Sequence, residues 1–442
     1  MSALQPAGPG SVAVAGPWWQ AVRWRVAFLL CLVTTLNYID RNALGIAAPV
    51  MLPELGLSTT QYGLIVSAFL VSYAIGQVLA GRFIDRIGTK RAFAGAVVVW
   101  NLASAGHALA GGFSSLLGMR VVLGLGEAAN FPAAVKAIAE WFPARERSLA
   151  TGILTMGPGL GSILTPPLIG WLIIALGWRW AFVVSGALGL AWLVLWQRTY
   201  HAPEHHPRLS AEELALITAG RSAAPPRTGN VIPWGDLLRR KEVWGLMLSR
   251  FAGDGAFYFF VSFLPLYLSQ QRGFDLKAIA FSAALPFVMA DLGSLAGGYA
   301  GKRLIDRGYS VNASRKIVIW TGALLIPIGL PAVFVDSAIL ALLLMSFALF
   351  FIQVKSSSLF AVPADLFHSR DVATVWGLFG AVGSIGGAAF TALVGWLVDH
   401  ASYVPVFIIV SLMHIVSAIF VTLLIPRIDT LPPLPPARGT AV

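Results

Sequence analysis

The feature that most constrains this chain is a succession of apolar stretches, each about 20 residues long, separated by short breaks rich in charge, glycine or proline. A stretch of that length is what one α-helix needs to cross a hydrocarbon core. About twelve satisfy the criterion, at 24–47, 61–82, 92–111, 114–136, 149–172, 179–199, 242–269, 278–301, 316–335, 338–360, 372–396 and 404–426. A closed β-barrel also satisfies the backbone inside lipid, but its strands alternate apolar and polar residues over about ten positions. The run from Ala338 to Phe351 does not alternate. Only 12% of the residues are charged, against about 25% in a soluble domain, so the expectation is an all-α membrane protein.

The formal net charge of +11 is distributed in a way that argues for membrane topology and against nucleic acid as a partner. Arg82, Arg86, Lys90 and Arg91 follow span 2, Arg145 and Arg147 follow span 4, and Lys302, Arg303, Arg307, Arg315 and Lys316 follow span 8. The alternate loops are poor in basic residues, with Arg179, Arg272 and Lys277 as exceptions. The positive-inside rule then places the basic loops and both termini in the cytoplasm. The first twenty residues lack a basic segment followed by an apolar core and cleavage site, so span 1 is expected to act as an uncleaved insertion signal. Cys31 is the single cysteine, which excludes an intramolecular disulfide and a cysteine metal cluster. It reads as a packing residue. His201, His205 and His206 lie among prolines and read as part of a solvated linker, not as a metal tract.

The longest polar interruption divides six spans from six. The expected organisation is a cytoplasmic tail at 1–23, a six-helix bundle at 24–199, a cytoplasmic linker at 200–241, a second bundle at 242–426 and a cytoplasmic tail at 427–442. Within the linker, Leu209 to Ala219 opens with a Ser210-x-x-Glu213 capping pattern and predicts a short interfacial helix. The halves echo one another. Gly81-Arg-Phe-Ile-Asp85-Arg86 recurs in degraded form as Gly298-Tyr-Ala-Gly-Lys302-Arg303, and Arg147-Ser-Leu-Ala150-Thr151 as Arg370-Asp-Val-Ala373-Thr374, at matching positions of each half. Parallel six-helix repeats with a substrate site between them describe a transporter that rocks one half against the other.

The segment Gly81-x-x-x-Asp85-Arg86-x-Gly88-x-Lys90-Arg91 resembles the loop motif of the major facilitator superfamily. The resemblance implies two pseudo-symmetric six-helix bundles, with Gly81, Asp85, Arg86, Arg91 and Arg303 serving the gate. In that role Gly81 is expected to admit a neighbouring helix, and Asp85 to pair with basic groups or a helix N-terminus. Leu36-Asn37-Tyr38-Ile39-Asp40-Arg41-Asn42, Arg120-Val-Val-Leu-Gly124-Leu-Gly126-Glu127-Ala-Ala-Asn130-Phe-Pro132, Gly177-Trp178-Arg179 and Arg250-Phe-Ala-Gly-Asp254 resemble the anion:cation symporter family. Glu127 to Pro132 and His205 to Ser210 look most like its hexuronate and aldonate branch, whose members are proton symporters for sugar acids. The resemblance spans about residues 24 to 426.

The chemistry is also argued from residue types. Ionisable residues inside a span are costly and normally face a polar cavity or a partner. Asp40, Arg41, Arg120 and Glu127 are four of these, and Arg120 and Glu127, seven residues apart, share one helix face about 10 Å in length. Arg41 and Arg120 offer the planar fork that fits a carboxylate. Asp40 and Glu127 can exchange a proton as substrate or water arrives, making the proton the coupling ion with no other cofactor or metal. A static reading pairs Asp40 with Arg41 and Arg120 with Glu127 for packing specificity alone. Tyr38 and Tyr73 align with substrate-contacting tyrosines of the aldonate branch. Arg250, Asp254 and Asp291 serve either the second half's site or structure, with Arg250 free to snorkel to the membrane edge. Isolated His107 and His414 read as packing residues.

Two segments depart from the hexuronate pattern. In Gln353-Val354-Lys355-Ser356-Ser357-Ser358 a cation replaces an aromatic residue and Ser358 an asparagine, while Thr155-Met156-Gly157-Pro158-Gly159 lacks the branch's amides. Fewer amides favour a less hydroxylated acid. Thr155, Gln353, Lys355 and Ser358 therefore stand as substrate-selecting candidates, with Lys355 either holding a second carboxylate or pairing with Asp365. Gly157-x-Gly159-x-Gly161 lies inside a span, where close helix packing explains it better than nucleotide binding. The reading is a monomeric bacterial inner-membrane symporter importing an organic anion, with sugar acids implied by the resemblance. The alternatives are a carrier of aromatic or dicarboxylic acids, or a drug or metabolite exporter on the same fold. Two intramembrane arginines disfavour cationic drugs. An enzyme would need a nucleophile–base or metal constellation that the spans do not present.

Overall fold

The computed structural model describes residues 21–222, 234–367 and 369–431. Twelve helices are long and apolar enough to cross a membrane: Val22–Glu54, Thr59–Gly81, Thr89–Leu109, Phe113–Trp141, Leu149–Leu176 and Trp178–Thr199, then Lys241–Arg272, Leu276–Asp306, Val311–Val333, Ala338–Leu366, Val375–His400 and Tyr403–Leu424. Each overlaps one of the twelve expected stretches, and they are numbered spans 1 to 12. No strand occurs among the described residues.

Local chemistry explains the turns between them. Span 2 starts with a reciprocal cap, in which Gln61 N donates to Ser58 Oγ at 3.1 Å and Ser58 N to Gln61 Oε1 at 3.0 Å. Gly88 of the loop motif has φ +86°, and Gly177 ahead of span 6 has φ +90°. Both turns need a backbone conformation that a side chain disfavours.

The two halves repeat the same close pairings. Span 5 packs on span 1, where a Cβ on Gly157 would lie 2.9 Å from the Cys31 carbonyl oxygen, and span 11 packs on span 7, where one on Gly386 would lie 2.7 Å from Phe251 Cα. Span 4 meets span 2 at Gly124 against Phe69, and span 10 meets span 8 at Phe350 against Gly293. Inside lipid there is little hydrophobic drive between helices, so small residues that admit a neighbouring backbone supply the association.

The linker helix, Ala211–Ser222, forms where the capping pattern predicts it, with Glu213 N donating to Ser210 Oγ at 3.1 Å. Its carboxylate does not return to Ser210. It accepts from the backbone N–H groups of Val22 and Arg23, each at 3.2 Å, and from the Arg23 guanidinium at 2.9 Å. Arg23 also reaches Glu146 at 2.7 Å. The linker is thereby fastened to the first half. On the other side, two of the three basic exceptions have local partners: Arg179 pairs with Glu54, and Arg272 donates to the Tyr267 hydroxyl at 2.8 Å and the Val335 carbonyl at 2.5 Å.

The halves meet on the side away from the termini. Tyr62 Oη donates to the Ser262 carbonyl at 2.6 Å, Ser67 Oγ to the Ala388 carbonyl at 2.6 Å, and Asp399 accepts from the Thr59 and Thr60 N–H groups at 3.1 and 2.6 Å. Gly45, Gly63 and Gly395 lie in this seam, each against backbone of the opposite half. Among the described residues the hydrogen bonds that join the halves all lie on the side away from the termini.

This arrangement corrects one expectation. A Cβ on Gly81 would meet nothing within 4 Å, so Gly81 admits no neighbouring helix here. Gly81 ends span 2 on the side of the termini. Arg86, Arg91 and Arg303 are exposed there, and the side chain of Asp85 lies outside the described residues.

Candidate functional site

Successive residues of a helix point about 100° apart, so Asp40 and Arg41, near the middle of span 1, address different neighbours. Asp40, 1% exposed, turns toward spans 3 and 6, where Ser104 Oγ donates to its Oδ1 at 2.7 Å and lies 3.2 Å from Ser185 Oγ. Arg41 turns toward spans 2 and 4. Its Nε donates to Glu127 Oε2 at 2.9 Å, and the guanidinium lies 4.7 Å from the ring centre of Tyr38, 4.5 Å from Tyr73 and 5.2 Å from Phe69. Cation–π attraction in a desolvated setting adds to the ion pair. Glu127 is held where the span 4 helix breaks, between segments Phe113–Glu127 and Asn130–Trp141.

The pairing differs from the static alternative. Arg41 is the partner of Glu127, and Asp40 takes a hydroxyl on one oxygen in place of Arg41. Arg120, 2% exposed, donates to the Arg41 carbonyl at 3.3 Å and lies 5.7 Å from the Phe69 ring centre. Its Nε and other terminal nitrogen have no hydrogen-bond partner among the described residues, and neither has Glu127 Oε1 or Asp40 Oδ2. The seven-residue spacing does bring Arg120 and Glu127 to one region, but among the described residues Arg120 has no carboxylate in ion-pair contact.

The second half offers a counterpart on span 7. Arg250 does not snorkel. It pairs with Asp254 one turn on, Nε to Oδ2 at 2.5 Å, and lies 4.7 Å from the ring centres of Phe360 and Phe379. Tyr258 lies one turn beyond Asp254 on span 7, with its ring against Gly387 of span 11. Phe69, Ser104 and Tyr258 were not singled out by the sequence. Tyr258 carried a signal, sitting one turn beyond Asp254, whereas nothing distinguishes Ser104 from other span serines.

The remaining candidates separate. Thr155 is exposed and its hydroxyl donates to the Gly152 carbonyl at 2.9 Å. One turn on, Gly159 lies against the Asp291 carboxylate of span 8, so this face of span 5 looks across to the other half. Gln353 shares the helix face of Phe360, seven residues away, and is half-buried. Ser358 is 1% exposed with its hydroxyl unpartnered among the described residues. Lys355 is 1% exposed and directed into its own bundle, at Ser417 and His414. Its expected partner Asp365 instead takes Arg315 at 2.8 Å, because span 9 places that arginine beside it. His414 is correspondingly not a plain packing residue.

Two repeated six-helix bundles with buried charges at the middle of their spans define a membrane transporter. A model of the Major Facilitator Superfamily matches residues 30–391, and the chain belongs to that family. It is 35% identical over 406 residues to a hexuronate transporter of Escherichia coli (strain K12), covering 91% of this chain and 94% of that one. It is 40% identical over 311 residues to a galacturonate transporter of Dickeya chrysanthemi, covering 69% and 89%. The relatives place it in the sugar-acid branch of transporters, not among enzymes. A solved bacterial homologue of the human lysosomal transporter Spinster superposes with TM-score 0.71 at 20% identity, over 92% of this chain and 96% of that one. At that identity the likeness carries the fold alone.

Proposed function

We propose that this chain imports a sugar acid, such as a hexuronate or aldonate, together with protons by alternating access, in a bacterial inner membrane with both termini cytoplasmic. The observation that carries the reading is the charge arrangement of the first half. Two buried arginines, Arg41 and Arg120, accompany two buried carboxylates, Asp40 and Glu127, and the set is neutral when all four are ionised. A bound monoanion adds one negative charge to a buried space, and a proton on Glu127 or Asp40 removes it. Because unpaired charge inside a span is costly, anion and proton favour each other's entry. Protonating Glu127 also frees Arg41, so Arg41 and Arg120 can both turn to the incoming carboxylate. Tyr38, Tyr73 and Tyr258 bring hydroxyls suited to a polyol. The names of the sugar-acid relatives support the same substrate class.

A second reading is an acid with fewer hydroxyls. It draws on the aromatic walls around Arg250, formed by Phe360 and Phe379.

Binding of labelled galacturonate to purified wild type, Arg120→Gln and Arg120→Lys tests the proposal. Truncating one partner of a buried charge pair costs about 2–5 kcal/mol, so Arg120→Gln is expected to bind at least roughly 30-fold more weakly. Arg120→Lys restores part of this, because an ammonium keeps the charge without the fork. Galactose is expected not to compete. Undiminished binding by Arg120→Gln, or competition by galactose as strong as by unlabelled galacturonate, overturns the reading.

A further inference from the structure

Span 10 carries a buried lysine that the coupling scheme above does not use. Lys355 Nζ donates to Ser417 Oγ at 2.6 Å and lies 3.2 Å from His414 Nδ1, both on span 12. Ser417 Oγ donates its own hydrogen to the Ser249 carbonyl of span 7 at 2.5 Å. Span 7 also approaches at Gly253, where a Cβ would lie 3.2 Å from Nζ and 3.5 Å from His414 Nδ1. Span 9 closes the remaining side with Gly322, against the Lys355 backbone. His414 is 2% exposed, and its Nε2 has no partner among the described residues.

The charged groups nearby are all committed. On span 7, Asp254 is the acidic residue next to Gly253, and it already holds Arg250. The basic residues at the start of span 9 are engaged elsewhere, Arg315 with Asp365 and Lys316 with the Pro426 carbonyl. No carboxylate lies in ion-pair contact with Lys355 among the described residues. An ammonium so placed has no compensating anion, which is an expensive arrangement to keep for packing alone.

The hydrogen-bond geometry fits two proton counts. Ser417 spends its hydrogen on Ser249, so toward Lys355 it can only accept. Nδ1 of His414 accepts from an ammonium when the imidazole hydrogen is on Nε2. It donates to a neutral amine when that hydrogen is on Nδ1. Passing from the first form to the second moves one proton from Nζ to Nδ1 and releases one from Nε2, the atom without a partner. The contacts stay in place and the pair changes from +1 to neutral.

We propose that Lys355 and His414 form a second proton-binding site, in the C-terminal half, that holds one proton and exchanges it as span 7 moves. Span 7 is the connecting element. It meets this pair through Ser249 and Gly253, carries Arg250 and Asp254, and joins the opposite half at Val261 and Ser262, beside Gly45 and Tyr62. The proposal rests on the proton-coupled reading but places a proton outside the Asp40 and Glu127 region.

Two measurements on the full chain test it, using wild type, Lys355→Met, Lys355→Arg and the near-isosteric His414→Gln. The first needs no substrate: the thermal midpoint of purified protein is followed from pH 5 to 9. The difference between wild type and Lys355→Arg, whose charge is permanent, is expected to change with pH in one step, and His414→Gln to displace that step. A difference constant across the range overturns the proposal. The second counts protons taken up per galacturonate in proteoliposomes, where Lys355→Met and His414→Gln are each expected to lose one. An unchanged ratio in both overturns the proposal. If wild type moves no galacturonate, the sugar-acid reading fails and the thermal measurement alone decides this one.

Discussion

Gly63→Ala perturbs the seam that closes one side of the transporter. A Cβ at this position would lie 2.6 Å from the Thr391 carbonyl oxygen and 3.1 Å from Gly395 Cα, both on span 11. Those are backbone atoms and cannot rotate away. A comfortable carbon–oxygen approach is about 3.3 Å, so the two helices must separate by several tenths of an ångström. Overpacking of this kind costs about 1–3 kcal/mol, but only while the seam is closed. When the halves part on this side the penalty vanishes. The equilibrium between the two openings is therefore expected to shift by roughly 5- to 150-fold toward the state open away from the termini. The assay uses a Cys31→Ser background with Ser262→Cys, a seam residue 8% exposed. A membrane-impermeant thiol reagent applied from the side away from the termini labels it in proportion to the opened population. Faster labelling in Gly63→Ala by that factor is the expected result. An unchanged rate in a folded variant refutes the reasoning, because the seam would then not control access.

Other consequences follow from the same contacts. Glu127→Gln leaves Arg41 with a neutral partner, so gradient-driven accumulation of galacturonate is expected to be lost while exchange of internal for external substrate persists, measured by counterflow. Asp40→Asn keeps an acceptor for Ser104 and is expected to lower accumulation with little loss of thermal stability. Glu213→Ala removes the cap of span 1 and one partner of Arg23, at about 1–3 kcal/mol. Its thermal midpoint should fall, while the substrate affinity of the surviving protein stays unchanged.

The membrane fold was legible because crossing lipid is a matter of length and composition, and the repeated echoes already implied two halves. The four intramembrane charges of spans 1 and 4 were equally visible, since each is costly enough to announce itself. Their partners were not. Arg41 meets Glu127 only because span 1 packs beside the break in span 4, and Asp40 meets Ser104 because span 3 lies behind it. Lys355 was left open by the family pattern between holding a carboxylate of the substrate and pairing with Asp365. Its direction is set by Gly253, Gly322 and span 12, which are distant in sequence. Gly81 shows a further limit, since a packing role can belong to one conformation and vanish in another.

Uptake of labelled galacturonate into proteoliposomes, with and without an imposed pH gradient, tests the central claim most directly. Accumulation above equilibrium is predicted when the outside is acidic, accompanied by proton entry and abolished by Glu127→Gln. Uptake that ignores the gradient and moves no protons would contradict the account.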